Sequence, residues 1–164
     1  MLSAETAAGK YPVEVVEAMA SIVEEADRSE TVELDMQFID QTFTRVDQSI
    51  AYGALFTAFH LRCAAICALT ESGSTTLWMS RHDVDVPIYA LTPSAATARR
   101  LALYRNVRPL LMDSESDRDT ALLQAENHLK KRGIVQSGDV YAITCGEPMG
   151  APGGTNMLKI CRAS

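Results

Sequence analysis

Basic residues are in the minority, 15 lysines and arginines against 21 aspartates and glutamates, for a net charge of −6. That deficit argues against nucleic acid or an anionic membrane as partner, since both require a basic surface. The four cysteines, Cys63, Cys67, Cys145 and Cys161, form no C-x-x-C pair. None has a histidine at metal-ligand spacing, so each reads as a small buried hydrophobe in a reducing compartment. His60, His82 and His128 are scattered and lie beside no nucleophile-like motif. Long apolar runs are absent too: the most apolar stretch, residues 51–69, is broken by His60 and Arg62, which rules out a spanning helix there. No charged segment followed by an apolar run marks a secretory leader at the amino terminus. Together these absences favour a cytoplasmic globular protein. What is present, 164 residues with 47% apolar and 22% charged side chains, suffices for one well-buried core.

Two parts differ in character. In the first, Met1-Leu2-Ser3 reads as the tail of a strand and residues 5–10 as a small-residue loop. Pro12 then opens a helix over residues 13–28, where a missing N–H costs nothing. Val16, Met19, Val23 and Ala26 form its apolar stripe. Residues 29–45 are polar with weak periodicity and read as a linker.

From residue 46 onward, helix-like and strand-like segments alternate. Asp47 is a candidate cap for a helix containing Ile50, Ala54, Leu55, Ala58 and Leu61. Strands are expected at 64–69, 86–91, 108–112, 140–144 and 157–161, with helices at 76–79, 94–103 and 117–132, the last ended by Gly133. Continuous apolar runs such as Ala64-Ala65-Ile66-Cys67-Ala68-Leu69 suit central parallel strands. The short Gly/Pro connection before the final strand suits an antiparallel return. The pattern predicts an α/β fold, a three-layer αβα sandwich on a five-stranded, mostly parallel sheet.

Two loops carry whatever chemistry there is. Thr70-Glu71-Ser72-Gly73-Ser74-Thr75 leaves the first strand and opens a helix, so hydroxyls, a glycine and free helix N–H groups gather there as a cradle for one phosphate. The alternative is that Ser72 or Ser74 merely caps the helix. The loop is neither a P-loop nor a G-x-G-x-x-G fingerprint. The second loop, residues 146–156, holds four glycines and two prolines in eleven residues. It reads equally as a lid and as a wide hairpin connection.

The opening Met-Leu-Ser-x-Glu-Thr-Ala-x-Gly-x-Tyr-Pro run closely resembles a stretch of pyruvate kinase. Leu69-Thr70-Glu71-Ser72-Gly73, residues 87–92, Leu103-Tyr104-Arg105-Asn106-Val107-Arg108-Pro109, Ser137-Gly138-Asp139-Val140 and Gly153-Gly154-Thr155-Asn156 resemble, in order and spacing, landmarks of that family's C-terminal domain. The resemblance implies that residues 1–28 are a remnant of the catalytic barrel, 29–45 a linker and 46–164 a regulatory domain. It also implies strand order 3-2-1-4-5, with the fifth strand antiparallel. At the switch point of such a sheet, Thr70, Ser72, Gly73, Ser74 and Thr75 match the effector's phosphate site, and Gly150, Gly153, Gly154 and Thr155 its effector loop.

The form resembled is the bacterial one regulated by AMP or a sugar monophosphate. Members activated by fructose 1,6-bisphosphate carry a lysine where this chain has Glu71 and an arginine at the position of Ala121; Arg118 lies one turn earlier. The parent reaction transfers phosphoryl from phosphoenolpyruvate to ADP, with Mg2+ or Mn2+ and K+, in a homotetramer. Only Ser3 and Glu5 match residues of that active-site wall, so a chain of this extent is expected to be inactive alone. Two other readings are a free-standing module sensing a phosphosugar or nucleotide, and a small autonomous α/β enzyme, which would need a nucleophile–base pair that the sequence does not display.

Overall fold

The computed structural model describes residues 2–29, 42–113, 115 and 117–164. The chain divides into two compact units, Met1–Val32 and Glu33–Ser164. The boundary expected at 29–45 falls mostly on residues outside those described.

In the first unit, helix α1 (Ala4–Ala7) and helix α2 (Pro12–Ser29) follow one another. Leu2 and Ser3 lie in no strand, and Ala4–Ala7 is a helical turn where a loop was expected. A strand needs a partner ladder, which this unit does not supply among its described residues. α2 follows Pro12 as the sequence predicts, but its apolar stripe is solvated: Val16 and Val23 are each at least half exposed. Leaving large aliphatic side chains in water costs about 1.5–3 kcal/mol each relative to burial. Hydrogen exchange should therefore run faster at residues 13–28 than at 65–69, or slow only as protein concentration rises. Core-like protection independent of concentration would contradict this.

The second unit begins with helix α3 (Val46–His60), followed by strand β1 (Ala65–Leu69), helix α4 (Ser74–Met79) and strand β2 (Ile88–Thr92). Helix α5 (Ala95–Leu101), strand β3 (Val107–Leu111), helix α6 (Arg118–Lys131) and strands β4 (Val140–Gly146) and β5 (Thr155–Arg162) complete it. The sheet order is β3-β2-β1-β4-β5, parallel except for β4 with β5. This is the order the resemblance implies. In β1 and β2 every residue is buried, as continuous apolar strands require when both faces are covered. Pro109 sits in edge strand β3, where a missing donor is tolerated.

Alternation along the strands divides the core. Ile66, Ala68, Ile88, Ala90 and Ala142 pack with Ala51, Leu55 and Ala58 of α3, Met79 of α4 and Leu101 of α5. Cys67, Tyr89, Leu91, Tyr141 and Ile143 face Ala121, Leu122, Ala125 and Leu129 of α6. The four cysteines are free and three are buried; burial pushes the Cys67 thiol well above its ordinary range, so it is protonated and unreactive.

Asp47 is not the cap of α3. Arg45 holds that position and makes no side-chain cap bond, while Asp47 sits in the first turn, buried. Leu61 lies beyond the last turn and is half exposed rather than in the core.

Candidate functional site

The parallel pairing of β1 with β4 brings their carboxyl ends to the same edge of the sheet, and the neighbours of β1 on either side are β2 and β4. In an open α/β sheet this is the switch point, beyond whose strand ends ligands bind. A cleft lies there. Its walls are Leu69 at the end of β1 with Thr70 and Glu71 after it, Leu91 near the end of β2 with Pro93 after it, and Met112, Asp113, Glu115 and Ala121 on the α6 side. Gly146, Met149, Gly150, Ala151, Gly153 and Thr155 close it from the glycine-rich loop.

The two loops singled out by the sequence are joined directly: Thr75 Oγ1 donates to Thr155 Oγ1 at 2.7 Å, across 80 residues of chain and fully buried. Thr70 Oγ1 accepts from Gly73 N at 2.8 Å, which closes the first loop into a tight turn. Gly73 is the N-cap of α4, with φ 79, and makes no side-chain cap bond. Ser72 and Ser74 therefore do not cap α4; Ser72 Oγ is 3.4 Å from Ser74 Oγ. A glycine at the N-cap offers the first-turn N–H groups no side-chain acceptor of its own, the condition that favours an anion at a helix start.

Of the residues expected to bind phosphate, Thr70 lines the cleft itself, and Ser72, Gly73, Ser74 and Thr75 lie in the turn behind it. In the glycine-rich loop Gly150, Gly153 and Thr155 line the cleft, with Gly154 between them. Gly73 is required sterically. A left-handed backbone costs an alanine roughly 1–2 kcal/mol, and an added Cβ would meet Leu101 Cδ2 at 2.8 Å. Gly73→Ala is expected to lower the urea midpoint of the domain and distort the turn; an unchanged midpoint would contradict this packing.

Several residues that sequence reasoning passed over hold these loops. Thr97 Oγ1 of α5 donates to the Glu71 carbonyl at 3.0 Å, and the Arg100 guanidinium donates to the Ser72 carbonyl. Asn156 clasps the start of the glycine-rich loop, accepting from Glu147 N at 2.9 Å and donating to Glu147 O at 2.7 Å. The Thr-Ala-Arg-Arg run on α5 and the asparagine after Gly-Gly-Thr were the available signals.

The electrostatics are one-sided. Glu71, Asp113 and Glu115 line the cleft, and among the described residues no lysine or arginine lines it. Arg118 does not replace the missing arginine. It pairs with Glu147 at 2.8 Å and Asp119 at 3.1 Å, in a depression on the outer side of the loop. Ala121 is buried against the cleft, so a long cationic side chain there would reach into it.

Ser3 and Glu5 belong to the first unit. Ser3 N and Oγ each donate to Glu5 Oε2 at 3.1 Å. Glu5's own amide and then the Ser3 amide and hydroxyl hold its carboxyl below the ordinary range. Among the described residues no group of three or more histidine, cysteine, aspartate or glutamate side chains is placed to hold a metal ion.

A family model, that of the pyruvate kinase alpha/beta domain, matches residues 48–161. The chain belongs to this family. Pyruvate kinase II of Salmonella typhimurium is 40% identical over 161 residues, which is 98% of this chain and 34% of that protein. Pyruvate kinase of Haemophilus influenzae is 36% identical over 163 residues, 99% of this chain and 33% of that protein. Pyruvate kinase of Staphylococcus epidermidis is 37% identical over 163 residues, 98% of this chain and 28% of that protein. The pyruvate kinase alpha/beta domain thus accounts for most of the chain, which spans about a third of the length of these curated relatives. No helix among the described residues is long and apolar enough to cross a membrane.

Proposed function

We propose that this chain is the regulatory and assembly part of a cytoplasmic pyruvate kinase, binding a phosphorylated effector, AMP or a sugar monophosphate, at the switch-point cleft. The observation that supports this best is the buried Thr75–Thr155 hydrogen bond, which ties the hydroxyl-rich turn to the glycine-rich loop over one cleft. One phosphate is placed at the turn of residues 70–75, where Thr70, Ser72 and Ser74 supply hydroxyls, the start of α4 supplies N–H groups, and Thr75, its proton given to Thr155, holds the glycine-rich loop. The rest of the ligand occupies the cleft beneath Gly150, Gly153, Gly154 and Thr155.

The cleft as it stands has a volume of about 40 Å³, far below the roughly 300–1,000 Å³ of small-molecule sites. It admits a few waters. Effector entry therefore requires residues 147–154 to swing outward, and the bound ligand replaces the loop's own contacts. The glutamate, aspartate and glutamate lining disfavours a second phosphate, since like charges in a low-dielectric cleft repel strongly.

In the longer protein the reaction is phosphoryl transfer from phosphoenolpyruvate to ADP in glycolysis, in a homotetramer. Its metal and cationic clamps come from sequence outside this chain. Isothermal titration of the chain with AMP, ribose 5-phosphate and fructose 1,6-bisphosphate tests the reading: a monophosphate binds more tightly. Tighter binding of the bisphosphate would contradict it.

A further inference from the structure

Residues 147–154 lie over the switch-point cleft, and their attachment to the domain is uneven. Met149 is half-buried and packs on the core face that holds Leu122 and Cys145, whereas Pro148, Gly150, Ala151, Pro152 and Gly153 are exposed. Glu147 is gripped twice. Asn156 accepts from its amide and donates to its carbonyl, which ties the two stems of the loop together, so the segment moves as one body. The Glu147 carboxylate accepts from Arg118 Nη1 at 2.8 Å, and that bond fastens the body to α6. Arg118 is the first residue of α6. Its Nε also donates to Asp119 at 3.1 Å, so the guanidinium keeps its place whether or not the loop is down. Behind the loop, Cys145 is fully buried, and burial pushes its thiol above the ordinary range.

We infer that the Arg118–Glu147 bond is the latch of a lid: it holds residues 147–154 shut over the cleft, and its release lets the loop swing out and admit a ligand. The inference rests on the reading of that loop as the cover of the effector cleft. The two side chains are 39% and 55% exposed; an ion pair that open to water is weak and is screened by salt. A weak bond suits a latch, because it biases the lid toward closed without locking it. Ionic strength thereby sets the fraction of molecules whose cleft is open, and the apparent affinity of a ligand that needs the open form scales with that fraction. Arg118 acts here through the loop and not on the ligand, as a positioning residue.

Thiol labelling of the full chain with a water-soluble maleimide, read cysteine by cysteine in a mass spectrometer, tests this on the wild type, Arg118→Gln, Glu147→Gln and the double variant. Cys67, fully buried in central strand β1, reports opening of the whole domain in the same sample. At low salt Arg118→Gln is expected to label Cys145 about threefold faster than the wild type, with Cys67 unchanged. Glu147→Gln should match it, and the double variant should label no faster than either single variant, because all three lose the same bond. In about 1 M sodium chloride, where charges are screened within about 3 Å, the wild type should rise to meet the variants. Equal labelling at low salt, additive effects, or Cys67 rising in step with Cys145 would overturn the latch. A wild type in which Cys145 labels no faster than Cys67 would overturn it as well, since the loop would then open only with the whole domain. Repeating the labelling with AMP at millimolar concentration separates the two readings: slower labelling of Cys145 supports a ligand held beneath the lid. An unaltered rate would overturn the effector reading and leave the latch standing on the variants.

Discussion

Mixed with phosphoenolpyruvate, ADP and magnesium ions, the 164-residue chain is expected to form pyruvate no faster than the mixture without protein. Phosphoryl transfer is catalysed almost wholly by positioning and by metal ions and cationic clamps on the moving group. Ser3 and Glu5, which the resemblance leads one to expect on the active-site wall, bond to one another at the start of a four-residue helix. A serine and a carboxylate with no cation cannot supply the roughly 8–23 kcal/mol by which enzymes lower barriers. A coupled assay should stay at background. Turnover that co-purifies with the protein and disappears in Ser3→Ala or Glu5→Gln would contradict this reading.

The second large effect is a change of ligand. Replacing Glu71 by lysine and Ala121 by arginine is expected to turn a monophosphate site into one that prefers fructose 1,6-bisphosphate. Both positions line the cleft. The first change removes a repulsive carboxylate, and both introduce donors for a second phosphate. Hydrogen bonds to charged groups contribute about 1.5–3 kcal/mol each, and about 1.4 kcal/mol is tenfold in affinity. The double variant should therefore bind the bisphosphate on the order of 100-fold more tightly than the wild type. Ala121 is fully buried, so the urea midpoint must be recorded beside the titration. A folded double variant with unchanged bisphosphate affinity would show that the second phosphate does not lie between these residues.

Residue patterning made the elements legible where local rules decide. The apolar runs at β1, β2 and β4 and Gly133 just past α6 are short-range signals; Asp117, read from the pattern as the first helical residue, is the cap and accepts from Thr120 N. Strand order was not legible from patterning; it came with the family resemblance, because nothing local in 65–69 says that 140–146 will lie beside it. The caps misled for a physical reason. Asp47 has a capping side chain, but it falls inside the first turn, where it pairs with Arg45 and accepts from Gln48 N instead. At α4, two serines suggested a cap, yet the left-handed Gly73 occupies that position and leaves the N–H groups open. The candidate site was half visible: both loops could be found by composition, whereas Thr75–Thr155 and Arg100–Ser72 depend on how the helices pack against the sheet.

The central claim is that a phosphorylated effector binds between the two loops at the carboxyl ends of β1 and β4. Amide chemical shifts of the chain, recorded as AMP is added to millimolar concentration, test it most directly. The account predicts shifts concentrated at Thr70–Thr75 and across residues 146–156, saturating together with one dissociation constant. Shifts confined to the opposite ends of the strands, near Phe59–Ala64 and Asp85–Pro87, or no saturable shift with AMP, ribose 5-phosphate or inorganic phosphate, would contradict it.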